Sequence, residues 1–224
     1  MSITNYSGTR PAEVLSQYGR CIELISMDKY YEDISIGLYL KDGIFTIWSF
    51  NNSKGVPDRI KQIQAQLINL GDMLPANNSD NQVKFKCGNI HERPVKFLLA
   101  QAVGKAPDYS PPTKELKIKD SKSNLNIFIK PHEDSESNSY TVDVVGEYKN
   151  PSMRLRMIVA GFIKYGEMDK VTPNEVAFTC SHRHDGLMRV LLPYSRNISS
   201  VESMMAAEDM KGQMTTGTLG FSQV

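Results

Sequence analysis

RIKQIQAQLINLGDM, residues Arg59 to Met73, lies 95 residues before RLRMIVAGFIKYGEM, residues Arg154 to Met168, and the two share Arg, Ile, Ala, Ile, Gly and Met in register. An offset of 93 lays VKFKCGNIHERPVKFLL (Val83 to Leu99) on VAFTCSHRHDGLMRVLL (Val176 to Leu192), with Cys87/Cys180 and His91/His184 among the identities. The change of offset falls in the loop between the two matched stretches. A self-match at nearly fixed period is the mark of one architecture used twice.

Working outward from the first stretch, Ile34 to Leu40 and Ile44 to Phe50 are β-rich runs joined by Lys41-Asp42-Gly43, an Asp-Gly hairpin signal. Ile60, Ile63, Leu67, Leu70 and Leu74 then step by three and four, which predicts a helix with one apolar face and Gly71 as its left-handed stop. Val83, Phe85 and Cys87 alternate with Lys84 and Lys86 as a half-buried strand, and Val95 to Ala102 after Pro94 reads as its partner.

The second copy repeats the pattern through Asn124 to Lys130, Tyr140 to Glu147, a helix from Pro151 to Tyr165 capped by Asn150, Glu175 to Cys180 and Leu187 to Pro193. Cys21 to Met27 and Glu115 to Lys119 add a leading strand to each. The expectation is an α+β fold, a tandem duplication of a βββαββ unit whose antiparallel sheets are each packed by one helix. An extra short helix stands at each end, Pro11 to Tyr18 and Ser200 to Met210.

The domain reading follows. Residues 1–103 form the first repeat with its N-terminal helix, and 104–123 a Pro/Lys-rich linker leading into the first strand of repeat two. Residues 113–210 form the second repeat with its C-terminal helix, and 211–224 a disordered tail. In element order, and in the Asp-Gly hairpin before an apolar strand, the chain resembles the type III secretion chaperone-like topology. That resemblance implies a fold and transfers no residue roles.

Lys and Arg number 26 against 25 Asp and Glu, so the charge balance points neither to nucleic acid nor to an anionic membrane. Lys84, Lys86, Arg59 and Lys61 could form a basic patch, but the second copy carries Ala177 and Thr179 at the strand positions. No apolar run spans a bilayer and Met1 to Tyr18 lacks the pattern of a secretory leader, which implies a cytoplasmic chain. Three cysteines, an odd number, suit a reducing compartment.

The repeated Cys-x3-His, Cys87/His91 and Cys180/His184 with His182 nearby, is the constellation of zinc-ligand type. It also admits a Cys-His nucleophile pair. Against both stands a plainer reading: each cysteine continues the apolar side of a strand as a small core hydrophobe, and Ser181 to Gly186 is a polar hairpin loop turning at Asp185-Gly186. On that reading the chain needs no cofactor. Walker-type, dinucleotide-binding, nucleophile-elbow and zincin motifs are absent from the sequence.

Where the copies differ, Trp48 stands where the second copy has Asp143, and Met157, Ala160 and Gly161 bring an apolar or small surface to the second helix. Met204 and Met205 add adaptable apolar side chains in the last helix. These six residues are the candidate partner-binding surface. The functional expectation is a non-enzymatic protein-binding or assembly module, chaperone-like or scaffolding, with a protein partner or self-association into a homo-oligomer. The alternatives are a small-molecule or metal-dependent enzyme with a site between the repeats, and a self-assembling structural protein contacting RNA.

Overall fold

The computed structural model describes residues 17–27, 34–50, 55–104, 116–119, 125–133, 137–147 and 150–198. The chain divides into two compact units, Met1–Asp108 and Tyr109–Val224. In the first, the order is β1 (Arg20–Met27), β2 (Ile34–Lys41), β3 (Ile44–Ser49), α1 (Val56–Gly71), β4 (Met73–Pro75), β5 (Gln82–Phe85) and α2 (Glu92–Ala102). In the second it is β6 (Leu116–Lys119), β7 (Leu125–Pro131), β8 (Ser139–Gly146), α3 (Pro151–Gly166), β9 (Met168–Thr172), β10 (Glu175–Phe178) and α4 (Asp185–Arg196). The protein is α+β with two antiparallel sheets, ordered β1-β2-β3-β5-β4 and β6-β7-β8-β10-β9.

Each unit therefore runs βββαββα and not βββαββ, with two helices against its sheet. The runs expected as last strands, Val95 to Ala102 and Leu187 to Pro193, are α2 and α4. A short apolar run reads as a partner strand, but Val95, Leu98, Leu99 and Ala102 are buried, spaced i, i+3, i+4, i+7 along one helical face. Pro94 fits in the first turn of α2, where a missing N–H costs no helical bond. The strands that complete the sheets, β4 and β9, are only three and five residues long. Leu74, read as the end of the helical stripe, lies on β4 and is 41% exposed.

Helix α1 packs on β3, β4 and β5 and against α2, which reaches β1; α3 and α4 make the corresponding contacts in the second unit. The first core lies between, with Ile36, Leu38, Phe45, Ile47, Ile63, Leu67, Val83 and Leu98 all at 0% exposure. The Asp42-Gly43 hairpin forms as read: both residues have positive φ, 52° and 76°, as a two-residue primed turn requires. Gly71 is not the left-handed residue; Asp72 is, at φ 53°. Gly71 is closely packed: a Cβ there would lie 2.6 Å from Leu98 Cδ1, the tip of a flexible side chain. Asn150 caps α3, its side chain accepting the Met153 N–H at 3.0 Å.

The second face of α3 is covered within its own unit. Gly161 lies against the backbone of Ser195 in α4, and Ala160 packs with Ile198, flanked by Met157 and Tyr165. At the position matching Gly161, Gln66 of α1 is exposed. Trp48 is half-buried against Tyr18, ring centroids 4.9 Å apart. Residues 17 and 18 are helical. The rest of the Pro11–Tyr18 helix lies outside the described residues, as do the Ser200–Met210 helix with Met204 and Met205, the tail and most of the linker.

Candidate functional site

The same construction ends the sheet in both units. After β5 the chain turns through Cys87 and enters α2 with His91 as the residue before the first turn, its carbonyl accepting from the Val95 N–H at 3.1 Å. After β10 it turns through Cys180 and enters α4 at His184, whose carbonyl accepts from the Met188 N–H at 3.1 Å. Asp185-Gly186 thus opens a helix and does not turn a hairpin. Both histidines are 1% exposed, which no polar surface loop would produce.

Each imidazole stands edge-on to the last phenylalanine of its strand: His91 to Phe85 at 4.9 Å and 88°, His184 to Phe178 at 5.0 Å and 82°. A second ring extends each stack, Phe45 behind Phe85 and Tyr140 behind Phe178. The rings hold Nε2 toward the sulfur four residues earlier, 3.4 Å from Cys87 Sγ and 3.2 Å from Cys180 Sγ. Neither cysteine is a strand residue; each lies two positions beyond its strand's end, Cys87 half-buried and Cys180 2% exposed.

In the second unit a polar network secures this turn. The His184 N–H donates to Tyr140 Oη at 2.9 Å, and the Tyr140 hydroxyl donates to Asp185 Oδ1 at 2.9 Å. Arg183 grips the same carboxylate through Nε and Nη2, at 2.8 and 2.9 Å. Burial, then the Asp185 charge, pushes the Tyr140 phenol well above its ordinary range. Burial would raise Asp185, but hydrogen bonds from Arg183 and Tyr140 outweigh it and hold the carboxyl below the usual value. Asn138 Nδ2 donates to the carbonyls of Phe178 and Cys180.

The first unit is built differently around the same pair. Phe45, at the position of Tyr140, has no hydroxyl, and exposed Ile90 replaces Arg183. Glu92, in the place of Asp185, turns to Arg20 of β1, which holds its carboxyl below the usual range despite partial burial. Sequence reasoning missed this polar layer entirely; only the ring layer left a signal, Phe85/Phe178 among the identities at offset 93.

A thiolate sulfur and an imidazole nitrogen about 2.3 and 2.0 Å from one tetrahedral zinc stand about 3.5 Å apart, so both pairs have close to the bite of a metal clamp. Among the described residues, Cys87, His91, Cys180 and His184 are the side chains that could hold a metal ion. His182 is exposed and only its carbonyl meets Cys180 Sγ, at 3.5 Å. A nucleophile needs access to substrate, and Cys180 is buried. A cavity of about 160 Å³ in the first unit is lined by Tyr18, Lys41, Thr46, Asn77 and Gln82, without Cys87 or His91.

Of the other candidates, Ala160 and Gly161 are buried in their own unit, while Met157 and Trp48 are partly covered. Lys84 and Lys86 are exposed. No described helix is long and apolar enough to cross a membrane. No protein-family model, curated protein or solved structure matches the chain.

Proposed function

We propose that the chain is a non-enzymatic binding or assembly module, made of two copies of one βββαββα unit, that holds zinc through its Cys–His pairs. The observation that carries the metal reading is the sulfur-to-nitrogen separation of 3.4 Å in one unit and 3.2 Å in the other, at the same strand-to-helix turn. Mixed sulfur and nitrogen donors suit zinc before harder cations such as magnesium or calcium. Each pair supplies two of the four ligands that a tetrahedral zinc takes. Supporting the copy reading, Arg59 donates to the Ala102 carbonyl at the end of α2, and Arg154 to the Arg196 carbonyl at the end of α4. The arginines match at offset 95.

Zinc measured on the purified chain by mass spectrometry should be stoichiometric with the chain. Cys87→Ser, His91→Ala, Cys180→Ser and His184→Ala should each lower it, and cobalt substitution should show thiolate charge-transfer absorption. A chain that binds neither ion stoichiometrically at micromolar concentration refutes the metal reading. The assembly reading draws on exposed apolar side chains such as Val145 at 58% and Leu24 at 54%. Light scattering tests it: a monomer at all concentrations leaves a separate protein partner as its sole form.

A further inference from the structure

The two pairs share their ligands and differ in what stands behind them. In the second unit the nitrogen ligand's own backbone N–H is taken by Tyr140 Oη, whose hydroxyl is fixed by Asp185, itself clamped by Arg183. The sulfur ligand's carbonyl is tied to Asn138. The Tyr140 ring also stands edge-on to Phe178 at 6.0 Å, and Phe178 stands edge-on to the His184 ring. Main chain and imidazole are thus positioned from one side chain of β8. In the first unit the ring stack remains, through Phe45, Phe85 and His91, but the polar support is missing: Phe45 replaces Tyr140, Ile90 replaces Arg183, and Gly43 occupies the place of Asn138.

A ligand pair held in its binding geometry before the metal arrives loses less conformational freedom on binding, so equal donors with unequal support bind unequally. A network of charge-assisted bonds in which each member is satisfied stiffens the turn further. We infer that Tyr140, fixed by Asp185 and Arg183, is a positioning residue that makes Cys180–His184 the tighter-holding zinc pair and leaves Cys87–His91 the exchangeable one; this rests on the zinc reading above. The exposures agree, since Cys180 is buried and Cys87 is half-open.

The test is zinc affinity of the full chain by competition with a chromogenic chelator, for the parent, Tyr140→Phe, Arg183→Gln and Tyr39→Phe. Tyr39 is a buried tyrosine of the other unit and controls for general loss of stability. Loss of an outer support costs about 10- to 100-fold in metal affinity. Tyr140→Phe should therefore weaken zinc binding by about that factor, with a changed cobalt spectrum, and Arg183→Gln should weaken it by less. Tyr39→Phe should leave affinity and spectrum at parental values. Arg183 is 32% exposed, so its variant folds even if Tyr140→Phe does not, and then carries the test through affinity and spectrum. Parental affinity and spectrum in the Tyr140 variant, or in the Arg183 variant if only that one folds, overturn the inference and leave zinc binding standing. A parent chain that holds no zinc overturns both.

Discussion

Gly161→Ala isolates one contact on which the second unit depends. A Cβ at this position would lie 2.7 Å from Ser195 Cα and 2.9 Å from both Ser195 Cβ and the Ser195 carbonyl oxygen. Carbon atoms in good contact sit about 3.5 to 4.0 Å apart, so α3 and α4 must separate by roughly 1 Å. The atoms that would have to yield are mostly main chain, and no rotamer change relieves them. Overpacking of this kind costs about 1–3 kcal/mol, while alanine recovers about 1 kcal/mol of helix propensity. Because main chain must yield, the upper part of the overpacking range applies, about 2–3 kcal/mol, and the net should be a loss of about 1–2 kcal/mol. Gly71→Ala is the matched control: its Cβ would meet the Leu98 Cδ1 tip at 2.6 Å, which can swing aside. Its net should stay within about 1 kcal/mol. Urea unfolding in chelator is the assay. Trp48, the single tryptophan, reports the first unit by fluorescence, and far-ultraviolet circular dichroism reports both. Gly161→Ala should shift the dichroism midpoint and spare the fluorescence transition. A midpoint at or above that of the parent refutes the close-contact argument.

Asn150→Ala removes the side chain that caps α3 and should cost about 1 kcal/mol by the same unfolding measurement. Gly55→Ala, at the start of α1, has no cap bond to lose but forces a non-glycine residue to φ 100°, so it should destabilise through backbone strain instead. Tyr39 is buried, and that burial first, with the neighbouring Cys21 second, pushes its phenol up to about 12. The unfolded chain ionises this group near pH 10, so between about 10 and 12 the folded state binds more protons and stability falls as pH rises. Tyr39→Phe should flatten that part of the stability curve in alkaline unfolding titrations.

Most of the fold was legible because it rests on local signals. The Asp42-Gly43 turn, the Asn150-Pro151 helix start and the alternating strands all declare themselves within a few residues. The final runs of each unit were misread because a short apolar run fits a strand or a helix equally well. Val95, Phe97, Leu98 and Leu99 form such a run, and the burial of Val95, Leu98, Leu99 and Ala102 marks the helical face. β4 was hidden for another reason. Three residues, Met73–Pro75, carry no period at all, and their pairing with β5 depends on the reversal at Asp72.

The site was legible in spacing and illegible in placement. Cys-x3-His fixes which residues are candidates, but a sequence cannot say whether four residues of separation span a strand, where sulfur and imidazole would diverge, or a turn into a helix, where they converge. Reading α2 and α4 as strands therefore demoted the pairs to core filler and hairpin loop. Once His91 and His184 stand just before helices, their rings must pack on Phe85 and Phe178, and Nε2 meets the sulfur. The correction to the fold and the promotion of the site are one step, because the helix start that the sequence concealed is what brings the donors together. The supporting layer was beyond reach for a related reason. Tyr140 lies 44 residues from His184, on a strand whose counterpart carries phenylalanine, so only the folded sheet brings its hydroxyl to the histidine's backbone.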